Sequence, residues 1–85
     1  MNCVVELIPK AIFNRQNPII IGVKVVSDVP LNIGTVLHYQ NILLGPVTVI
    51  EKNHQNKLNA KTNQTVAISI NSNVKFENDY RFLHA

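Results

Sequence analysis

The chain has 85 residues and a formal net charge of +3, room for one small domain and no more. Its apolar fraction of 46% excludes a disordered polymer, and no apolar run approaches the ~20 residues that cross a bilayer. A lone Cys3 excludes an internal disulfide and fits a reducing compartment, and Met1-Asn2-Cys3 begins no signal peptide. The expectation is a cytoplasmic monomer with no membrane partner.

Residues 3–8 read as a first strand, with Val4, Val5, Leu7 and Ile8 around Glu6. Pro9 has no amide hydrogen to donate and is expected to end that ladder. Residues 10–17 then form a connection, Ile12 and Phe13 plugging one end of the fold. Pro18 introduces residues 19–26, apolar throughout its first half, as in a strand crowded on both faces. Gly22 in its middle marks a bulge or a sharp bend. Residues 27–35, SDVPLNIGT, are turn-rich, with Leu31 and Ile33 directed inward. Residues 35–39 leave as a short strand, Gln40-Asn41 makes a tight hairpin loop, and Ile42-Leu43-Leu44 returns.

Residues 44–70 are the stretch around which the chain is organised. Gly45-Pro46 leads into the apolar strand Val47-Thr48-Val49-Ile50, and a polar loop follows with Lys52, His54, Lys57 and Lys61. The return at 65–70 alternates Val66, Ile68 and Ile70 with Ala67 and Ser69, one buried face and one facing outward. No acid occurs between Lys52 and Asn73. Such a loop is either a solvated basic face or a patch for phosphates or an acidic partner segment. Within it, Lys57-Leu58-Asn59-Ala60 has the two-residue period of a short strand. Thr62-Asn63-Gln64 is the next turn; with twelve asparagines and three glycines, Asn is the expected left-handed turn residue. Residues 71–85 carry little pattern, and Phe76, Tyr80, Phe82 and Leu83 either cap the fold or pack on a neighbour.

No segment has helical periodicity over ten residues. Many short strands punctuated by Pro, Asn and Gly predict an all-β fold, a small closed antiparallel β-barrel, since closure removes sticky edges. The partition is a barrel over residues 1–70 and a C-terminal extension over 71–85, packed on the barrel or leading to an element outside the chain.

Chemistry-bearing motifs are missing. Gly22, Gly34 and Gly45 are isolated and make no phosphate loop, so the chain by itself is not expected to bind or hydrolyse GTP. His38, His54 and His84 have no paired metal spacing with Cys3, nothing marks a nucleophile elbow, and no cofactor is expected. The aromatic residues read as core or caps, Tyr39 and Tyr80 being kept as candidates for stacking on bases.

The run IPKAIFNRQNPIIIGVKV (8–25), then LNIGT, then GPVTVIEKNHQNKLNAKTNQTVAISI (45–70), resembles the C-terminal β-barrel domain of translation initiation GTPases. That family contains eukaryotic initiation factor five-B and bacterial initiation factor two. The resemblance rests on Ile12-Phe13-Asn14, Asn17-Pro18-Ile19, Gly22-Val23, Gly34-Thr35, Val47-Thr48, Ile50-Glu51, Asn53-His54, Gln64 and Val66 in unbroken order. It implies a barrel akin to the second domain of elongation factor Tu and a non-catalytic binding module. It also implies contact with the aminoacylated acceptor end of initiator tRNA, help in ribosomal subunit joining, and contact with another initiation factor. Carried onto this chain, Lys52, His54, Lys57 and Lys61 meet phosphates, while Asn53, Gln64, Thr65, Val66 and Ala67 shape a pocket for the attached amino acid. Three departures stand out: Asn63 replaces a family Gly, the loop after Tyr39 is short, and neither the GTPase core nor the following helices lie in the chain. The alternative is a generic protein-interaction barrel that keeps the family core without tRNA binding.

Overall fold

The computed structural model describes residues 4–85; Cys3 and the start of the first expected strand lie outside the described residues. The strands are β1 (Glu6–Arg15), β2 (Ile19–Val25), β3 (Leu31–Asn32), β4 (Val36–Tyr39), β5 (Ile42–Lys52), β6 (Gln55–Lys57), β7 (Asn59–Ala60), β8 (Thr65–Ile70) and β9 (Leu83–His84). No helix occurs among the described residues. The sheet runs β4-β9-β1-β2-β8-β5, and β5 pairs back to β4, so six antiparallel strands close into a barrel. β6 extends β5 outward, and β3 pairs with β7 as a separate two-stranded sheet. The expected closed antiparallel β-barrel is therefore the observed fold.

The interior follows from alternation. Ile19, Ile21, Val23 and Val25 of β2 are fully buried, as are Ile68 and Ile70 of β8 and Ile50 of β5. Successive side chains of a strand point to opposite faces, so this inward set leaves Ile20, Gly22 and Lys24 of β2 on the outside.

Pro9 does not end β1, which continues to Arg15. The register supplies the reason. Val25 donates its amide to Gln64 and accepts from Asn63, so it turns away from β1. Val23, two residues earlier on the same strand, does likewise, and its pair with Pro9 is one that exchanges no ladder hydrogen bonds. The missing amide of Pro9 thus falls on the opposite edge, beyond the short reach of β9, which pairs with Glu6 and Leu7. Bulges interrupt β1 between Pro9 and Ala11 and between Ile12 and Asn14. Gly22 itself sits in regular register with β8, so the expected bend lies on the facing strand. Phe13, the extra residue of the second bulge, is not a plug: it is 67% exposed. Ile33 is likewise 40% exposed rather than tucked inward.

β5 is one strand, not two. Gly45 carries it through a corner at φ +142, where an added Cβ would overlap the carbonyl of Asn71. Its first part pairs with β4 and its second with β8. At the other side of the barrel the C-terminal segment supplies β9, which pairs with β1 and meets β4 through His38 and His84. The two imidazoles stack at 5.6 Å. Phe76, Tyr80 and Leu83 are buried beneath this seam, whereas Phe82 is exposed.

Candidate nucleic-acid interface

The stretch expected as a broad basic loop is a tight hairpin followed by a bridge and a turn. Lys52 pairs with Gln55, so only Asn53 and His54 form the loop, with φ of 53° and 63°. Two consecutive left-handed residues are what a two-residue hairpin of the strand-matching twist requires, and Asn and His are among the side chains that tolerate that region. The imidazole of His54 therefore stands exposed at the tip. Lys57 is exposed on β6, its Nζ donating to Gln55 Oε1 at 3.3 Å. Lys52 is half-buried.

Lys61 belongs to the second turn. Its amide donates to Gln64 Oε1 at 2.8 Å, and the Gln64 amide returns to the Lys61 carbonyl at 3.0 Å. Asn63 takes φ 69°, the left-handed role expected of it. The Gln64 side chain is thus engaged in shaping the turn. Pairing of β5 with β8 reaches Glu51 opposite Ala67, so the hairpin tip and the 61–64 turn leave the sheet at one end. That geometry brings Lys52, Asn53, His54, Lys57 and Lys61 to one end of the barrel. Thr65 and Ala67 face outward next to them, while Val66 is 3% exposed and its side chain belongs to the core.

Two outward residues escaped the sequence reading. Lys24 pairs with Thr65 and adds a cation to this face; the inward set Ile19, Ile21, Val23 and Val25 was the signal for it. Glu51 lies opposite both Ala67 and Asn56, a carboxylate within the basic surroundings. Tyr80 is buried and Tyr39 half-buried. They stack on each other at 4.2 Å, Phe76 meets Tyr80 edge-on, and Tyr39 Oη donates to the Asp79 carbonyl at 3.1 Å. Burial first, then the charges of Glu77 and Asp79 and the neighbouring Tyr39, raise the Tyr80 phenol above its ordinary pKa.

A hollow of about 250 Å³ lies beside Lys57, walled by Ile33, Val49, Ile50 and Leu58; Leu58 is 81% exposed. A larger groove of about 430 Å³ runs between Ile8, Lys10 and Ile12 of β1 and Phe76, Tyr80 and Arg81 of the tail, away from the basic hairpin. Among the described residues no three His, Cys, Asp or Glu side chains converge to hold a metal ion, and no helix is long and apolar enough to cross a membrane.

The family model of elongation factor Tu domain 4 matches residues 2–80. The chain belongs to that family. Among solved structures it is similar to GDP-bound aIF5B from Aeropyrum pernix, with a TM-score of 0.82 and 22% identity over 99% of this chain. It spans 15% of the length of that protein. No curated protein matches. The likeness to the C-terminal β-barrel domain of translation initiation GTPases, read from the sequence, is borne out.

Proposed function

We propose that this barrel is a non-catalytic binding module of translation initiation that engages the aminoacylated acceptor end of initiator tRNA on the ribosome and aids subunit joining. The supporting observation is the end of the barrel where a two-residue turn projects His54 between Lys52 and Lys57, with Lys61 on the adjacent turn. Family membership supplies the setting in translation. The lysines act on phosphates, which every RNA offers; Asn53, Thr65 and Ala67 flank the place for the attached amino acid. Val66 contributes backbone only, because its side chain is buried.

The test is binding of aminoacylated against deacylated initiator tRNA across a salt series. The aminoacylated form is expected to bind more tightly, and changing Lys57 and Lys61 together to Ala to flatten the log–log salt slope by about 0.7 to 1.4, one to two single-strand phosphate contacts. Equal affinities and an unchanged slope would overturn the reading. The second reading is a protein contact, with another initiation factor as partner. It is favoured by the exposed Leu58 over its apolar hollow, and it predicts that Leu58→Ser abolishes capture of the factor while leaving RNA affinity intact.

A further inference from the structure

β9 is two residues long, and the closure of the barrel depends on it. It pairs with β1 as Glu6↔His84 and Leu7↔Leu83, and it meets β4 through His38↔His84. Leu7, Leu37 and Leu83 are fully buried, so by alternation their neighbours Glu6, His38 and His84 share the outer face. These three form one row across β1, β9 and β4. Ala85 donates its amide to Val5, so His84, between Leu83 and Ala85, turns its own backbone to β4. The β4–β9 ladder is therefore this one pair, with its imidazoles stacked at 5.6 Å and 15° between their planes.

The two rings differ in where a second proton can go. His84 Nδ1 donates to the Ala85 oxygen at 3.1 Å, so a further proton enters at Nε2. Glu6, in register with His84, and the Ala85 oxygen, a carboxylate in the 85-residue chain, offset that charge. His38 Nδ1 is buried without a hydrogen-bond partner. The neutral His38 ring therefore carries its proton at Nε2, and a further one has to sit at Nδ1, a buried donor with no acceptor. His38 pairs with Leu43 and His84, so among the described residues no carboxylate is registered against it. Glu77 and Asp79 stand against Tyr80, whose stacking partner Tyr39 lies on the opposite face of β4 from His38. Lys10 and Arg81 line the groove along β1. Two charged rings at the stacking distance would also repel each other.

We infer that the His38–His84 stack is a proton-sensitive latch on the barrel seam, shut while His38 is neutral and released when both rings are charged. An imidazole in water takes up its proton near about pH 6.5; the closed seam denies His38 that proton and the open seam admits it. Protons thus bind the open form preferentially, so the latch is shut above about pH 6.5 and loosens as pH falls below it. Opening detaches β9 and uncovers Phe76, Tyr80 and Leu83, which are buried beneath the seam. Nothing in the latch depends on what the basic hairpin binds.

The experiment is amide hydrogen exchange on the 85-residue chain, read as protection factors corrected for the intrinsic pH dependence of exchange. For the wild type, protection of the Leu83 and His84 amides relative to Ile21 and Val23 of β2 should fall about 30-fold from about pH 7.5 to about pH 5, the ratio for one imidazole that titrates in the open form only. His38→Phe keeps a stacking ring without a titrating nitrogen, and His38→Gln keeps a polar side chain without a ring; each should hold the relative protection constant over that range. Glu6→Gln removes a carboxylate from beside His84, so opening takes up a second proton and the fall should steepen. A wild-type ratio that stays flat, or an equal fall in either His38 variant, overturns the latch.

Discussion

Residues 71–85 and the hairpin at 52–57 are the two parts of the chain with the weakest hydrophobic periodicity, and folding uses them in opposite ways. The first places Phe76, Tyr80 and Leu83 in the core and lays Leu83–His84 between β1 and β4, so the barrel is closed by a strand of two residues. The second buries none of its side chains fully; its exposed residues project beyond the sheet. An aperiodic sequence is therefore no measure of structural weight. What separates the two is the presence of large apolar side chains at irregular spacing in the tail, against Asn, Gln, Lys and His in the hairpin. The seam holds by apolar burial; the hairpin holds its shape by backbone pairing and two left-handed residues.

The largest expected effect lies at the seam. Phe76→Ala removes a fully buried ring that packs edge-on against Tyr80 and should cost about 3–5 kcal/mol, read as a fall in the denaturant midpoint. A loss below 1 kcal/mol would mean that the tail merely rests on a barrel complete without it. Gly45→Ala tests the corner that lets β5 serve both sides of the barrel. The added Cβ meets the Asn71 carbonyl at a positive φ, and about 1–3 kcal/mol of stability should be lost. Chemical denaturation of the variant checks this.

Ionisation of Tyr80 sharpens the comparison in a smaller way. Its phenol is raised in the folded state, so the folded protein keeps a proton that the unfolded chain releases near the ordinary value of about 10. The contribution is intact below that pH and declines as pH rises above it. The thermal midpoint should fall more steeply between about pH 9 and 11 in the wild type than in Tyr80→Phe; parallel profiles would contradict it. The smallest effect belongs to the hairpin. Lys57→Ala with Lys61→Ala should change stability by no more than about 0.5 kcal/mol, because both side chains are exposed. A larger loss would show that these lysines hold the fold and do not merely decorate it.

The all-β class, the strands that alternate cleanly and the left-handed turn at Asn63 were legible in the residues alone, because period-two patterning and turn chemistry are local. So was the basic stretch, since charge is visible without coordinates. The reach of β1 past Pro9 was not legible: whether a missing amide harms a strand depends on which edge it faces, and that is a property of the register with β2. The merging of 42–44 with 47–50 depended on Asn71 closing over Gly45, a contact across 26 positions of chain. Val66 is withdrawn from the outer face by the same alternation that presents Thr65 and Ala67, a parity the basic stretch alone did not fix. Phe13 reads as an apolar plug in isolation; only the extra residue between Ile12 and Asn14 turns it outward. Local chemistry writes itself into neighbouring residues, whereas bulges, edges and closure exist only between strands, so the tertiary structure decided them.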